Sequence, residues 1–257
     1  MHGGPDIQGA RFAAMRWVEE YGIDQPGLID LEAIAFDRSI IVRKGKIEGA
    51  EAWLLRKGNT GIIRVSTNIR ETGRERFAVA HELGHWERHT SASTAWLCTT
   101  DDIHAYRGSD VELEANAFAA ELLMPSHLLK PYLAEEVCID LVRRVSIDFQ
   151  TTLTASAVRI VDESPQDCYV VFSQKGCVTW WHRKEHGSGF WIQSKQAISP
   201  DTKACGCVTE PSDSEPMEIV LSQAWFPSDP GAEDCQVWEQ SVLLGEYDVV
   251  LTLLCVV

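Results

Sequence analysis

His81-Glu82-Leu83-Gly84-His85 is the stretch on which the reading of this chain turns. It is an HExxH motif, and its surroundings favour a helix. From Arg74 to Arg88 there is no proline, and Gly84 is the one glycine. Phe77, Ala80, Leu83 and Gly84 recur at helical spacing. Thr72 is the expected cap, with Glu75 three residues on completing a capping box. Histidines four apart share one helix face, so both imidazoles can reach one metal ion. Glu82 between them is placed to take a proton from a water that the metal activates. Gly84 costs about 1 kcal/mol of helix propensity relative to Ala. A glycine there makes sense if another segment packs closely on this face.

Zinc hydrolases commonly use three protein ligands and leave the fourth position to water. The longer HExxHxxGxxH pattern is broken here, because Arg88 and Ser91 stand where its Gly and third His would be. His89 continues the i+4 series but lies a further turn along the axis, roughly 6 Å away. Its better fit is a helix C-terminal residue that complements the dipole. The third ligand is sought in Ser109 to Pro125, read as a second helix ended by Pro125. Glu112, Ala115, Asn116, Ala119 and Leu123 form one stripe of that helix. Its alanines allow a close approach, Glu112 could reach the metal, and Asn116 could hold a ligand histidine from behind. Two alternatives stand beside this. Glu112 could close a capping box with Ser109, and Glu114 could be the ligand instead, although Glu114 and Glu121 project from the other side.

Together, Arg76-Phe-Ala-Val-Ala-His-Glu-Leu-Gly-His85 and Glu112-Leu-Glu-Ala-Asn-Ala-Phe-Ala-Ala-Glu-Leu-Leu-Met-Pro125 resemble the ImmA/IrrE family of zinc metallopeptidases, whose motifs read RFxxAHExGH and ExxANxFAxxLLMP. The resemblance extends over about residues 8–162. It implies that His81, His85 and Glu112 bind Zn²⁺ and that Glu82 is the general base. It also implies a substrate, a helix-turn-helix repressor of the Xre type, and a role in switching stress-response or mobile-element genes. A second oxyanion donor is usual in such enzymes; His104, Tyr106, Arg107 and His127 are candidates. The rival reading is a binding module that sequesters a repressor, or sits in a toxin–antitoxin-like pair, without cleaving it. An intact Glu82 argues against that, since a structural site needs no base.

The expected fold class is α+β. A zincin-like domain over residues 1–164 combines a small sheet, the HExxH helix and further helices. A mainly-β region over residues 165–257 follows, with a sensory or substrate-docking role. Helices are expected at Gly9 to Tyr21 and Asp30 to Phe36. Strands are expected at Ser39 to Arg43, Ala50 to Leu55 and Ile62 to Ser66. Beyond Pro165 the hairpin Cys168 to Ser173 and Cys177 to His182 turns at Gln174 to Gly176. Further strands are expected at Gly189 to Ile192, Glu218 to Ala224, Val237 to Leu244 and Asp248 to Val257, with loops at Asp201 to Pro216 and Pro227 to Asp234. The tryptophans of this region, Trp180, Trp181, Trp191, Trp225 and Trp238, read as core. His182 and His186 are four apart, a spacing that carries little weight outside a helix.

Of 257 residues, 45% are hydrophobic, enough for a substantial core, and the formal net charge is −15. Such a surface repels nucleic-acid phosphates and excludes direct DNA binding. It favours a basic protein partner, as a DNA-binding repressor is. No basic segment followed by an apolar run opens the sequence, and no apolar stretch nears ~18 residues. The chain is therefore expected to be cytoplasmic, off the membrane, and with its eight cysteines reduced. Cys205-Gly-Cys207 lacks the spacing of a zinc ribbon.

Overall fold

Asp6 accepts a hydrogen bond from the Gly9 backbone N–H and starts helix α1 (Ile7–Glu20). Asp30 does the same for α2 (Leu31–Asp37), accepting from Glu32 and Ala33. Both caps satisfy donors that the first helical turn leaves open. The computed structural model describes residues 4–89, 96–98, 109–184, 187–209, 216–233, 235–245 and 249–257. The chain divides into two units. The first comprises Met1–Lys130 with Val145–Thr152, and the second Pro131–Arg144 with Leu153–Val257. The architecture is α+β.

In the first unit β1 (Ile40–Gly45), β2 (Ala52–Lys57), β3 (Thr60–Ser66) and β4 (Trp96–Cys98) form one sheet in the order β1-β3-β2-β4. β1 runs parallel to β3, and the other pairs are antiparallel. Alternation sends Ile40, Ala52, Leu54, Ile63 and Val65 to the core, while Ile41, Leu55 and Ile62 face solvent. Against the sheet lies α3 (Thr72–Arg88), in which every residue from Ala78 to Trp86 is buried. Trp86 sits over Gly61 of β3, where a Cβ would come within 2.8 Å of its ring. Arg56, paired with Gly61 across the sheet, places its guanidinium over that indole at 3.8 Å and donates to the Trp86 carbonyl.

Helix α4 (Asp110–Leu123) crosses α3 at Gly84. A Cβ on Gly84 would lie 3.0 Å from the Ala115 Cα and carbonyl oxygen and 3.2 Å from the Phe118 Cβ. The expected stripe is the buried one: Glu112, Ala115, Asn116, Ala119 and Leu123 all face inward. Trp17 of α1 closes the third side by meeting Phe118 edge-on at 5.1 Å. Glu121, expected on the outer side, is buried as well. It accepts from the Ser126 N–H and hydroxyl, and so caps the following short helix α5 (Ser126–Leu129).

The division between units runs through α6 (Ile139–Asp148). In the second unit, β5 (Cys168–Gln174), β6 (Cys177–Arg183), β7 (Glu218–Leu221), β8 (Gln236–Leu243) and β9 (Val249–Val256) form an antiparallel sheet in the order β6-β5-β9-β8-β7. Lys175 and Gly176 turn the β5–β6 hairpin with φ of 52° and 73°, the left-handed pair that a two-residue hairpin loop requires. Central β9 is covered on both faces, which is why it reads as a nearly unbroken apolar run. Helix α7 (Leu153–Glu163) packs by β5 and β6 on one side. On the other, α8 (Lys203–Thr209) packs by β8 and β9. Among the described residues, no helix is long and apolar enough to cross a membrane.

Other expectations are corrected. Trp191, read as core, is exposed, its indole edge-on to Trp181 at 4.7 Å. Thr72 is the first residue of α3 rather than its cap; Glu71 holds that position without a side-chain bond. Gly189 to Ile192 is irregular, because the Trp191 N–H goes to Asp229 rather than to a neighbouring strand. The stretch from Asp201 contains α8, whose N-terminus is capped by a carboxylate distant in sequence: Glu239 accepts from the Ala204 N–H at 2.8 Å. Finally, Cys168 and Cys255 are joined in a disulfide. They are directly opposed on neighbouring strands β5 and β9, the closest approach a sheet offers two side chains. Cys138, Cys177, Cys205, Cys207 and Cys235 are free thiols, as expected.

The α3–α4 crossing can be tested directly. Gly84→Val should lower stability by roughly 1–3 kcal/mol, the usual cost of overpacking. The measurement is the denaturant midpoint. An unchanged midpoint would show that the helices separate freely at this point.

Candidate metal centre

His81, Glu82 and His85 are fully buried in the middle of α3. Glu112 lies in the first turn of α4. Ser109 occupies the N-cap position of that helix, but its side chain makes no capping bond. The Glu112 carboxylate turns instead toward the histidines. Its Oε2 lies 3.0 Å from His81 Nε2 and 3.4 Å from His85 Nε2. The two Nε2 atoms are themselves 3.0 Å apart. One ligand atom from each residue falls within 4.8 Å of the others, so this buried triad can hold a metal ion. It is the one such cluster among the described residues.

The other nitrogen of each ring points away from this centre. His81 Nδ1–H donates to Asn116 Oδ1 at 2.8 Å, as the stripe reading anticipates. His85 Nδ1 lies 3.0 Å from His89 Nδ1. His89 is the C-cap of α3 and half-buried; beyond a dipole role, it is in contact with a member of the triad. Glu114 faces away from the cluster. It accepts from the Asp6 backbone N–H at 3.0 Å and lies 3.4 Å from both the Arg88 guanidinium and His89 Nε2.

The electrostatics suit a cation. Burial, with the neighbouring His81 adding to it, drives the His85 imidazole down to about 4, so it is neutral and ligand-competent near neutral pH. For Glu112, burial pushes the carboxyl up, but the hydrogen bonds to His81 and His85 outweigh it and hold the group well below the carboxylate range. Two neutral imidazole nitrogens and one carboxylate oxygen in a water-poor site form a donor set that borderline divalent ions accept. Burial also lowers His89.

Other candidates are not brought to this site. His127 is exposed on α5 and outside the cluster. His104, Tyr106 and Arg107 lie outside the described residues, as does His186. His182, in the second unit, pairs with Asp162 at 2.6 Å.

A pH experiment on metal-free protein tests these electrostatics. The imidazole of His85 in the unfolded chain takes a proton near 6.5, but in the folded chain only near 4. Between those values the unfolded state binds more protons, so stability falls as pH falls through this window. Glu112 acts in the same direction below its ordinary 4.5, where the unfolded carboxyl protonates first. His85→Gln should flatten the dependence of the denaturant midpoint on pH between 6.5 and 4. Parallel curves for the two proteins would show that His85 is not held neutral by the fold.

Comparison with known proteins agrees with this geometry. Residues 37–160 match the model of the IrrE N-terminal-like domain, peptidase family M78. An uncharacterised immunity region protein 2 of Bacillus phage phi105 is 32% identical over 78 residues, which cover 30% of this chain. The match spans 47% of that relative, about half its length. A solved structure of a Mycobacterium tuberculosis transcriptional regulator matches at a TM-score of 0.58 and 16% identity, over 96% of this chain and 75% of the other. That likeness is one of fold. The triad-bearing region, residues 37–160, is an IrrE N-terminal-like domain of the M78 peptidase family.

Proposed function

We propose that this protein is a zinc-dependent endopeptidase that cleaves a basic helix-turn-helix repressor. The observation that carries the reading is the buried His81–His85–Glu112 cluster inside an M78-type domain. Zn²⁺ fits it by its N, N, O donor set and by the Nδ1–H of His81, which is already committed to Asn116 and leaves Nε2 free to coordinate. Bound there, the ion supplies Lewis acidity, which acidifies water and polarises a carbonyl. Asn116 fixes the His81 ring, and Glu112 supplies the negative charge. Glu82, buried between the two histidines, takes the proton of the attacking water and returns it to the leaving amine.

Net charge supports the choice of substrate. At −15 the chain favours a cationic partner, and a DNA-binding repressor carries a basic surface. The names of two similar proteins, an immunity region protein and a transcriptional regulator, fit a role in a gene switch. Such a role belongs in the cytoplasm, where repressors act. The acidic residues of the β-rich region contribute to docking in this reading.

Three outcomes are expected. Metal analysis of purified protein should give roughly one zinc per chain, with Glu112→Gln losing far more metal than Glu114→Gln. Glu82→Gln should keep the metal and lose about 10²–10⁴-fold in hydrolysis, the usual contribution of a general base. Cleavage of the repressor, read by mass spectrometry, should slow as salt rises, because screening shortens the reach of exposed charges. A stable complex with no cleavage products would replace the peptidase reading with sequestration. A Glu82→Gln protein of full activity would remove the proposed base.

A further inference from the structure

We infer that His89 and Glu114 are positioning residues for His85: a relay running Glu114, His89, His85 fixes the tautomer and orientation of the second histidine of the cluster. This rests on the reading that the triad holds a metal ion, and deepens it.

Each imidazole of the pair has two nitrogens, one turned to the cluster and one turned away. His81 and His85 direct Nε2 toward Glu112, so coordination through Nε2 requires the ring proton on Nδ1. A buried N–H needs an acceptor. For His81 that acceptor is the Asn116 amide oxygen at 2.8 Å. For His85 the atom at that place is His89 Nδ1, at 3.0 Å. An imidazole nitrogen accepts only when its own proton sits on the other nitrogen. On His89 the other nitrogen is Nε2, and it faces Glu114 Oε2 at 3.4 Å. A carboxylate accepts and never donates when ionised, so it selects the tautomer of His89 that can receive the His85 proton.

Glu114 is itself tethered. The Asp6 backbone N–H donates to its Oε1 at 3.0 Å, and Arg88 lies 3.4 Å from its Oε2. The same Arg88 Nη2 donates to the Asp6 carboxylate at 2.7 Å. The start of α1, the end of α3 and the second turn of α4 thus meet on one carboxylate. Backbone geometry places the ring: His89 ends α3, its N–H on the His85 carbonyl at 3.0 Å. One histidine of the cluster is therefore backed by a neutral amide, the other by a carboxylate-supported imidazole.

The test measures Zn²⁺ affinity by chelator competition and the visible spectrum of the Co²⁺-loaded chain. Removing such a supporting partner typically weakens metal affinity about 10–100-fold. His89→Ala should fall in that range and alter the Co²⁺ bands. His89→Gln, whose amide oxygen can take the His85 proton, should recover most of the loss. Glu114→Leu should weaken binding, and Glu114→Gln, still an acceptor, should stay close to wild type. The thermal midpoints of the metal-free variants should change little. His89→Ala with wild-type affinity and spectrum would overturn the relay. So would equal losses in His89→Ala and His89→Gln that track a drop in metal-free stability, since that is the signature of packing alone. If the wild-type chain binds neither ion, the metal-centre reading fails first and the relay with it.

Discussion

The close approach of α3 and α4 at Gly84 and Ala115 is the constraint on which the rest of this molecule depends. It brings Glu112, from one helix, onto two histidines of another across a gap so narrow that a Cβ on Gly84 would stand 3.0 Å from the Ala115 backbone. The neighbouring parts serve this contact. Trp17 closes it from α1, and the sheet supports α3 from below through Gly61, Trp86 and Arg56. The energetic logic is that of a site assembled before its ligand. Three polar side chains are taken from water and left facing one another. Asn116 takes the Nδ1–H of His81, while the two Nε2 atoms and the Glu112 carboxylate, all acceptors in that tautomer, converge at 3.0–3.4 Å. A divalent cation is the addition that such a group most favours.

Much of the centre is legible in the sequence because helical geometry is local. Spacing alone places His81 and His85 on one face, and the stripe from Glu112 to Leu123 predicts which side of α4 turns inward. The choice between Glu112 and Glu114 is harder, since residues two apart lie on opposite sides of a helix and the wheel needs an anchor. The structure supplies it in Ala115 beneath Gly84, which aims Glu112 at the histidines and Glu114 at Asp6, Arg88 and His89. His89 shows what spacing misses. The i+4 series marks it, but its meaning comes from Glu114, a residue 25 positions away.

In the β-rich unit the illegible features are those set by contacts distant in sequence. Helix α8 carries no strong local signal; it exists where Glu239, buried and accepting also from the Trp225 indole and the Ser241 hydroxyl, offers a cap to its N-terminus. Burial pushes that carboxyl upward, an effect its donors partly offset. The Cys168–Cys255 bridge depends on strand register across 87 residues, which composition cannot disclose. By contrast, the β5–β6 hairpin is plain in sequence because its turn chemistry is local.

The central claim is that one divalent ion is held by two imidazoles and a carboxylate, with no thiolate. X-ray absorption at the zinc edge of the metal-loaded chain tests this most directly. The account predicts a shell of N and O scatterers alone at about 2.0–2.2 Å, with the multiple-scattering signature of imidazole. A sulfur shell near 2.3 Å would contradict it, since that is the zinc–thiolate distance and would move the ion to the cysteines.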